Sequence, residues 1–144
     1  MDESKIGQRP AVGVGVMIFR QDKVLLSMRK GAHGAGEYAF PGGHLEWMES
    51  FEKCARREVR EECGLEIDNV QFQFLANVKT YAPRHYVHVG LTAEWLAGEP
   101  EVLEPKKSGE WKWYGLDELP ANLFEMTLLA FESHRTGKNY FDAT

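Results

Sequence analysis

Alternating apolar residues mark the first strands of the chain. The alternating positions are Val12, Val14, Val16 and Ile18, and the polar tripeptide QDK separates them from the apolar segment VLLSM. Period-two alternation interrupted by a short polar turn predicts a β-hairpin. The later segment YAFPGGHLE predicts a short strand that is broken at Pro41, because proline cannot donate a hydrogen bond to a neighbouring strand.

The period of the pattern becomes helical after Ser50. Ser50 is a suitable N-cap and Gly64 a suitable C-terminal stop, so we expect a helix from about Phe51 to Cys63. Three further strands are predicted over VQFQFLANVKT, HYVHVGLTAEWL and EWKWYGL, and the amphipathic run LFEMTLLAFESHR predicts a second helix. Because strands outnumber helices and surround the first helix, the pattern favours an α/β fold with a mixed sheet flanked by helices.

Composition and charge limit the classes of function. A chain of 144 residues with 43% hydrophobic residues can bury one sizeable core, and we expect a single domain over residues 1–144. The formal net charge of -5 provides no diffuse basic surface for a nucleic-acid duplex or an anionic membrane. The polar N-terminal stretch MDESKIGQ lacks the regions of a secretory signal, and no apolar run is long enough to span a bilayer. We therefore expect a cytoplasmic protein.

The two cysteines are expected to be free thiols. Cys54 and Cys63 lie nine positions apart on the predicted helix. At ~1.5 Å of rise per residue they are roughly 13 Å apart, which is too far for a disulfide.

Three glutamates on the same helix are the first candidates for chemistry. Glu58, Glu61 and Glu62 lie in the segment REVREECG, where like charges repel one another. At about 100° per residue, Glu58 and Glu62 continue the stripe that begins with Phe51 and Ala55, and Glu61 flanks it. Unpaired carboxylates are costly to bury. These glutamates therefore either form a solvated face paired with nearby arginines or bind a hard divalent cation such as Mg²⁺ or Mn²⁺.

The segment that carries these glutamates resembles a known signature. From Gly43 the chain is GHLEWMESFEKCARREVREECGL, which matches the Nudix box at all nine specified positions: Gly43, Glu49, Arg57, Glu58, Val59, Glu61, Glu62, Gly64 and Leu65. The stretches RPAVGVGVMIF, AFPGGHLEW, EPKKSGEWKWY and LDELPANLF look like the MutT-type hydrolases, which remove pyrophosphate from nucleoside triphosphates, including oxidised or modified ones. The resemblance implies a compact α/β/α sandwich whose box forms a loop, helix and loop that bind Mg²⁺ or Mn²⁺.

The resemblance also implies metal ligands. Glu58 and Glu62 match the principal ligands of the family, and the carbonyl of Gly42 is a further expected ligand. Glu61 matches a residue that is either a ligand or a carboxylate that positions water. Glu61 and Glu62 are both candidates for the general base that accepts the proton of the attacking water.

Two other charged residues are assigned less directly. Arg57 resembles the family arginine that orients a catalytic glutamate, with Glu49 as its structural partner, and a supporting ion pair and a more direct role are equally open. Glu104 lies in the loop before EWKW, where some relatives supply a further acidic group. A simple surface position is the favoured interpretation of Glu104.

Candidate substrate contacts lie outside these carboxylates. Arg29 and Lys30 follow the second predicted strand, where they can contact phosphate oxygens or form a solvated strand end. His44 can face the cleft or have a structural role. Trp113 is expected in the core. The pocket for the base is expected to contain Phe40, His88 and Phe124.

The resemblance implies a metal-dependent pyrophosphohydrolase that converts nucleoside triphosphates to nucleoside monophosphate and pyrophosphate. At Ala39, His88 and Glu125 the sequence departs from some oxidised-nucleotide hydrolases, so no selectivity for 8-oxoguanine is assigned. The alternatives are a hydrolase of another nucleoside-diphosphate-linked or isoprenyl diphosphate substrate and, more remotely, a non-catalytic ligand-binding module. A homodimer is a reasonable expectation from the family resemblance.

Overall fold

A computed structural model describes residues 8–31 and 33–142. Of the N-terminal stretch MDESKIGQ, all but Gln8 lies outside the described residues. The strands are β1 (Ala11–Arg20), β2 (Lys23–Met28), β3 (Tyr38–Ala39), β4 (Gly42–His44), β5 (Glu66–Val78), β6 (Tyr86–Ala97), β7 (Lys112–Gly115) and β8 (Tyr140–Phe141). The helices are α1 (Phe51–Cys63) and α2 (Glu125–Thr136).

Within the described ranges, the strands form one mixed sheet in the order β3-β2-β1-β6-β5-β8. Strand β4 pairs with β1, and β7 pairs with β2. The β1–β6 and β5–β8 pairs are parallel, whereas the other pairs are antiparallel. The predicted hairpin of β1 and β2 is confirmed, but the two strands pair only beside their turn, at Phe19–Val24 and Arg20–Lys23. Farther along β1, Gly15 pairs with Gly42 of β4, which brings the predicted metal loop onto the sheet.

The two helices cover different hydrophobic clusters. Because neighbouring residues of a strand face opposite sides of a sheet, Val89 of β6 belongs to the cluster that contains Ala55 and Val59 of α1. Tyr86, three positions earlier, belongs to the cluster that contains Leu129 of α2. The chain therefore has the predicted α/β/α arrangement, with a helical layer on each side of a mixed sheet.

Helix α1 has the predicted boundaries. The side-chain oxygen of Ser50 accepts a hydrogen bond from the backbone N–H of Lys53 at 3.1 Å, which caps the first turn. Gly64 ends the helix in the left-handed conformation with a φ of 71°, a region that favours glycine. Cys54 and Cys63 are both buried free thiols, as expected.

Helix α2 begins at Glu125, two residues after the start of the predicted helical run. The backbone before it is extended because it pairs with β3: Tyr38 N–H donates to Asn122 O, and Phe124 N–H donates to Tyr38 O. This pairing fixes Phe124 at the N-terminus of α2. Strand β5 likewise begins at Glu66, before the predicted Val70, and the short strand β8 is not in the predicted set. Neither described helix is long and apolar enough to cross a membrane.

Candidate active site

A cavity of about 520 Å³ opens between β1, β4, α1 and the loops that follow β2 and precede β7. Its lining contains the predicted site residues Arg29, Phe40, Gly42, His44, Glu58, Glu62, His88 and Phe124. Arg57 and Glu61 are not part of the lining. The cavity therefore brings most of the predicted metal and substrate residues together, although they come from distant parts of the chain.

Glu58 and Glu62, which we call the carboxylate wall, lie one helical turn apart on α1. Each residue is 7% exposed. Burial raises the pKa of Glu58, and it raises the pKa of Glu62 well above its ordinary value, with a further contribution from the negative charges of Glu58 and Glu104. Their negative charge is therefore unfavourable in the absence of a cation.

Two glycines of β4 lie next to these carboxylates. A Cβ atom at Gly43 would collide with the carboxylate of Glu58, so only glycine leaves the room that this side chain occupies. Gly42 lies beside Glu62, and its backbone partly offsets the rise in the pKa of that carboxyl. The Pro41-Gly42-Gly43 segment is thus shaped around the two glutamates of α1.

Arg57, which does not line the cavity, donates hydrogen bonds to Glu49, Glu58 and Glu61. Its Nε and one terminal nitrogen donate to the two oxygens of Glu49 at 2.7 and 3.0 Å. The other terminal nitrogen donates to Glu58 at 2.7 Å and to Glu61 at 3.2 Å. Hydrogen bonding to Arg57 lowers the pKa of Glu49 to about 2 and keeps it ionised. Arg57 thus forms a bidentate ion pair with Glu49, and its hydrogen bond to Glu58 orients that carboxylate.

Glu61 differs from its two neighbours because its side chain is 52% exposed and meets Arg57 at the surface. The structure brings Glu62, rather than Glu61, into the cavity. The role of Glu61 as a metal ligand or base thus remains a prediction from the family resemblance.

Glu104 does not have the simple surface position that was favoured from the sequence. Its Oε1 atom is buried without a hydrogen-bond partner, and its charge raises the pKa of Glu62. The loop is fixed to the end of α1 because Glu101 N–H donates to Cys63 O at 3.0 Å and Leu103 N–H donates to Glu62 O at 3.2 Å. These backbone bonds hold the loop at the end of α1, close enough for the charge of Glu104 to act on Glu62, although Glu104 is not part of the cavity lining.

The donor atoms fit a hard divalent cation. Glu58, Glu62 and Glu104 offer carboxylate oxygens, the Gly42 carbonyl is another oxygen, and Glu104 Oε1 lacks any other partner. Among residues 8–31 and 33–142, no three His, Cys, Asp or Glu side chains are close enough to enclose an ion by themselves. Mg²⁺ commonly uses one or two carboxylates and completes its shell with water and phosphate oxygens, so the carboxylate wall suits it.

Another part of the cavity lining, which we call the aromatic wall, consists of Phe40, Tyr86, His88 and Phe124. Phe124 is only 6% exposed. Tyr81 stacks on its ring with a centroid distance of 4.7 Å, and the Arg29 guanidinium lies 4.2 Å from the ring centre. Phe124 is thus a packed part of the cavity wall rather than an open stacking surface.

His88 lies deep in the cavity and packs across β1. Its ring leaves no room for a Cβ atom at Gly15, which would come within 2.9 Å, and its centroid is 5.5 Å from that of Phe74. Burial lowers the pKa of His88 to about 4, so the imidazole is neutral near pH 7. Gly15 is thus required by this packing, and His88 presents a neutral ring to a ligand. Trp113 packs against the α1 side of the core, as expected.

The cavity also has a set of cationic residues, most of which were not assigned from the sequence. This basic rim consists of Arg29, Lys30, Arg84, Lys106 and Lys107. The adjacent lysines in EPKKSG were a visible signal, but nothing in their spacing indicates that the loop folds against the end of β2. Lys30 N–H donates to Lys107 O at 2.9 Å, which joins the two parts of the rim.

Comparison with known proteins agrees with this arrangement. The NUDIX domain matches residues 9–133. The chain belongs to this family. The crystal structure of MutT NUDIX hydrolase from Burkholderia pseudomallei superposes with a TM-score of 0.81 at 34% identity and covers 86% of this chain and 97% of that one. This likeness confirms the Nudix-type fold and the MutT-type resemblance.

Two relatives carry names that describe activities. The NAD-capped RNA hydrolase NudC of Stutzerimonas stutzeri (strain A1501) is 36% identical over 106 residues, which are 74% of this chain and 37% of that protein. The oxidized purine nucleoside triphosphate hydrolase of Danio rerio is 31% identical over 111 residues, which are 73% of this chain and 66% of that protein. This Nudix chain therefore spans little more than a third of the NudC relative.

Proposed function

We propose that this Nudix protein is a pyrophosphohydrolase that converts nucleoside triphosphates, normal or modified, to nucleoside monophosphate and pyrophosphate. The observation that carries the proposal is the composition of one cavity. Buried carboxylates, cationic side chains and aromatic rings line different parts of it. A nucleoside triphosphate has matching parts. Its phosphates suit both a metal ion held by the carboxylates and cationic side chains, and its base suits apolar and aromatic surfaces.

The proposed cofactor is Mg²⁺, with Mn²⁺ as a substitute. Glu58 and Glu62 would hold it, with Glu104 and the Gly42 carbonyl as further donors and Glu61 as an additional candidate from the family resemblance. When bound, a divalent cation neutralises phosphate charge and favours deprotonation of water. Arg57 acts through Glu58, because its ion pair fixes the orientation of that carboxylate.

Glu62 is the favoured general base. Glu62 lines the cavity whereas Glu61 does not, so Glu62 is the candidate that can reach a water molecule there. In the proposed reaction, the oxygen of a water molecule forms a bond to a phosphorus of the α–β linkage, and the bridging phosphorus–oxygen bond breaks. The water proton passes to Glu62, and the electron pair of the broken bond leaves with pyrophosphate if the α-phosphorus is attacked or with the nucleoside monophosphate if the β-phosphorus is attacked. Arg29 contacts phosphate oxygens, while Phe40, His44, His88 and Phe124 surround the nucleoside.

The proposal is tested by a panel of nucleoside triphosphates, nucleotide sugars, ADP-ribose, dinucleoside polyphosphates, NAD and isoprenyl diphosphates with Mg²⁺. We expect the highest kcat/KM for a nucleoside triphosphate, and phosphorus NMR should identify pyrophosphate as the first product. Excess EDTA should abolish turnover. Orthophosphate as the initial product, a higher kcat/KM for another class or undiminished hydrolysis in EDTA would each contradict the proposal.

A further inference from the structure

Lys107 forms an ion pair at the edge of the proposed metal site. Its Nζ atom lies 3.4 Å from Glu104 Oε2. The contact is local, because Lys107 N–H donates to Glu104 O at 2.9 Å and closes a turn that sets the two side chains together. In this arrangement the other Glu104 oxygen is buried without a hydrogen-bond partner. The ammonium therefore satisfies only one of the two oxygens of this carboxylate.

Lys107 also lines the cavity that Glu58 and Glu62 face. Through its ion pair with Glu104 and its place in this lining, Lys107 puts a positive charge near the carboxylates that a bound cation would neutralise. Lys106 lies beside it and also lines the cavity, but no ion pair joins Lys106 to Glu104 among the residues that the structure describes.

The same lysine belongs to the basic rim. Its carbonyl accepts a hydrogen bond from Lys30 N–H at 2.9 Å, and the following residue, Ser108, bridges to Arg29. The Lys107 side chain is 68% exposed, and a lysine has a flexible four-carbon stem. Its ammonium can therefore exchange one negative partner for another without a change in the backbone.

We propose that Lys107 is an exchangeable counter-ion that pairs with Glu104 when no divalent cation is bound and with substrate phosphate once a cation has replaced it. This inference rests on the proposed function, since it requires a metal site at Glu58, Glu62 and Glu104. A divalent cation and an ammonium both neutralise the same carboxylates, so binding of the cation releases Lys107. The released charge lies at the rim where phosphate oxygens would enter.

This exchange has a thermodynamic signature that a simple surface ion pair lacks. As a competitor of the cation, Lys107 weakens metal binding to the free protein. As a phosphate contact, it strengthens binding of the substrate to the metal-loaded protein. Removing the ammonium should therefore change the two affinities in opposite directions.

The test compares Lys107→Met with the matched control Lys106→Met in the full chain. Mn²⁺ binding without substrate is measured by electron paramagnetic resonance, and binding of the α,β-methylene analogue of dGTP at saturating Mn²⁺ is measured by calorimetry. For Lys107→Met we expect the Kd for Mn²⁺ to fall about two- to fivefold and the Kd for the analogue to rise by a similar factor. The control should change the Kd for Mn²⁺ less than the Lys107 variant does.

Each outcome has a definite meaning. An unchanged Kd for Mn²⁺ in Lys107→Met overturns the inference, and equal effects of the two variants overturn it because they indicate only a general field of charge. Tighter Mn²⁺ binding with unchanged analogue binding overturns the exchange with phosphate. If the parent protein binds no Mn²⁺ at millimolar concentrations, the proposed function fails first, which distinguishes the two failures. Circular dichroism confirms that both variants are folded.

Discussion

The carboxylate wall and the aromatic wall face the same cavity but are built in opposite ways. Glu58 and Glu62 come from one helix, and Arg57 of that helix holds Glu58. The aromatic residues come from separate segments, and Phe124 is positioned by backbone pairing with Tyr38. The first wall places unfavourable charge in a buried position, whereas the second buries apolar area that stabilises the fold. Substitutions should therefore separate activity from stability.

The largest effect is expected for Glu62→Gln, which keeps size but removes the proposed base and metal ligand. We expect kcat to fall about 10²- to 10⁴-fold. Because the folded protein raises the pKa of Glu62, the stabilising protonated form is present at low pH and is lost as the pH rises through the folded pKa. In EDTA at pH 8, the variant should thus melt at the same or a higher temperature than the parent.

Activity assays and paired melting curves with EDTA or Mg²⁺ provide the measurement. Glu52→Gln is the matched control, since Glu52 lies on the same helix with a 58% exposed side chain. Near-parental turnover of Glu62→Gln, with an unchanged shift on adding Mg²⁺, would remove Glu62 from the proposed chemistry.

Gly43→Ala tests whether the carboxylate wall depends on its glycine support. The new Cβ atom would collide with the Glu58 carboxylate, so Glu58 must move. We expect kcat to fall more than about tenfold and the free energy of unfolding to fall by about 1–3 kcal/mol. Chemical denaturation and activity assays measure both quantities. Gly109→Ala is the control, because its Cβ atom would lie 3.6 Å from its nearest neighbour. Parental activity of Gly43→Ala would show that the position of Glu58 is not critical.

Phe124→Leu should give the reverse pattern. Phe124 is 6% exposed, so the smaller side chain leaves a gap beside Tyr81 and Arg29. We therefore expect the free energy of unfolding to fall by about 2 kcal/mol. The Kd for Mn²⁺ should stay at the parental value. Phe72→Leu, at a residue that is 59% exposed, should change stability by less than about 0.5 kcal/mol. A weaker affinity for Mn²⁺ in Phe124→Leu would mean that the walls are coupled.

The smallest effect concerns the pH dependence of stability and His88. The fold lowers the pKa of His88 from 6.5 to about 4, so the associated stability is complete above pH 6.5 and is lost as the pH falls toward 4. Between pH 6.5 and pH 5, the free energy of unfolding of His88→Gln should fall by about 1.5 kcal/mol less than that of the parent. Denaturation at several pH values measures this difference, with His134→Gln as the control. Equal slopes in the parent and His88→Gln would indicate that His88 is solvated when protonated.

The sequence predicts the carboxylate wall well because its geometry is local. Residues four apart share a helix face, so the positions of Glu58 and Glu62 follow once Ser50 and Gly64 define α1. Glu104 could not be placed in the same way, because its loop is held by backbone hydrogen bonds to α1 that leave no pattern in the side chains. The start of α2 was misjudged for a similar reason, since its apolar period continues into residues that pair with β3.

The backbone bonds from Glu101 and Leu103 to the last turn of α1 also determine how this part of the protein opens. An excursion that detaches the loop breaks both bonds at once, so the amides of Glu101 and Leu103 should exchange with deuterium together. A cation shared by Glu62 and Glu104 would bind only the closed form and slow both exchange rates by the same factor. Protection of these two amides therefore reports occupancy of the site without any substrate, product or turnover.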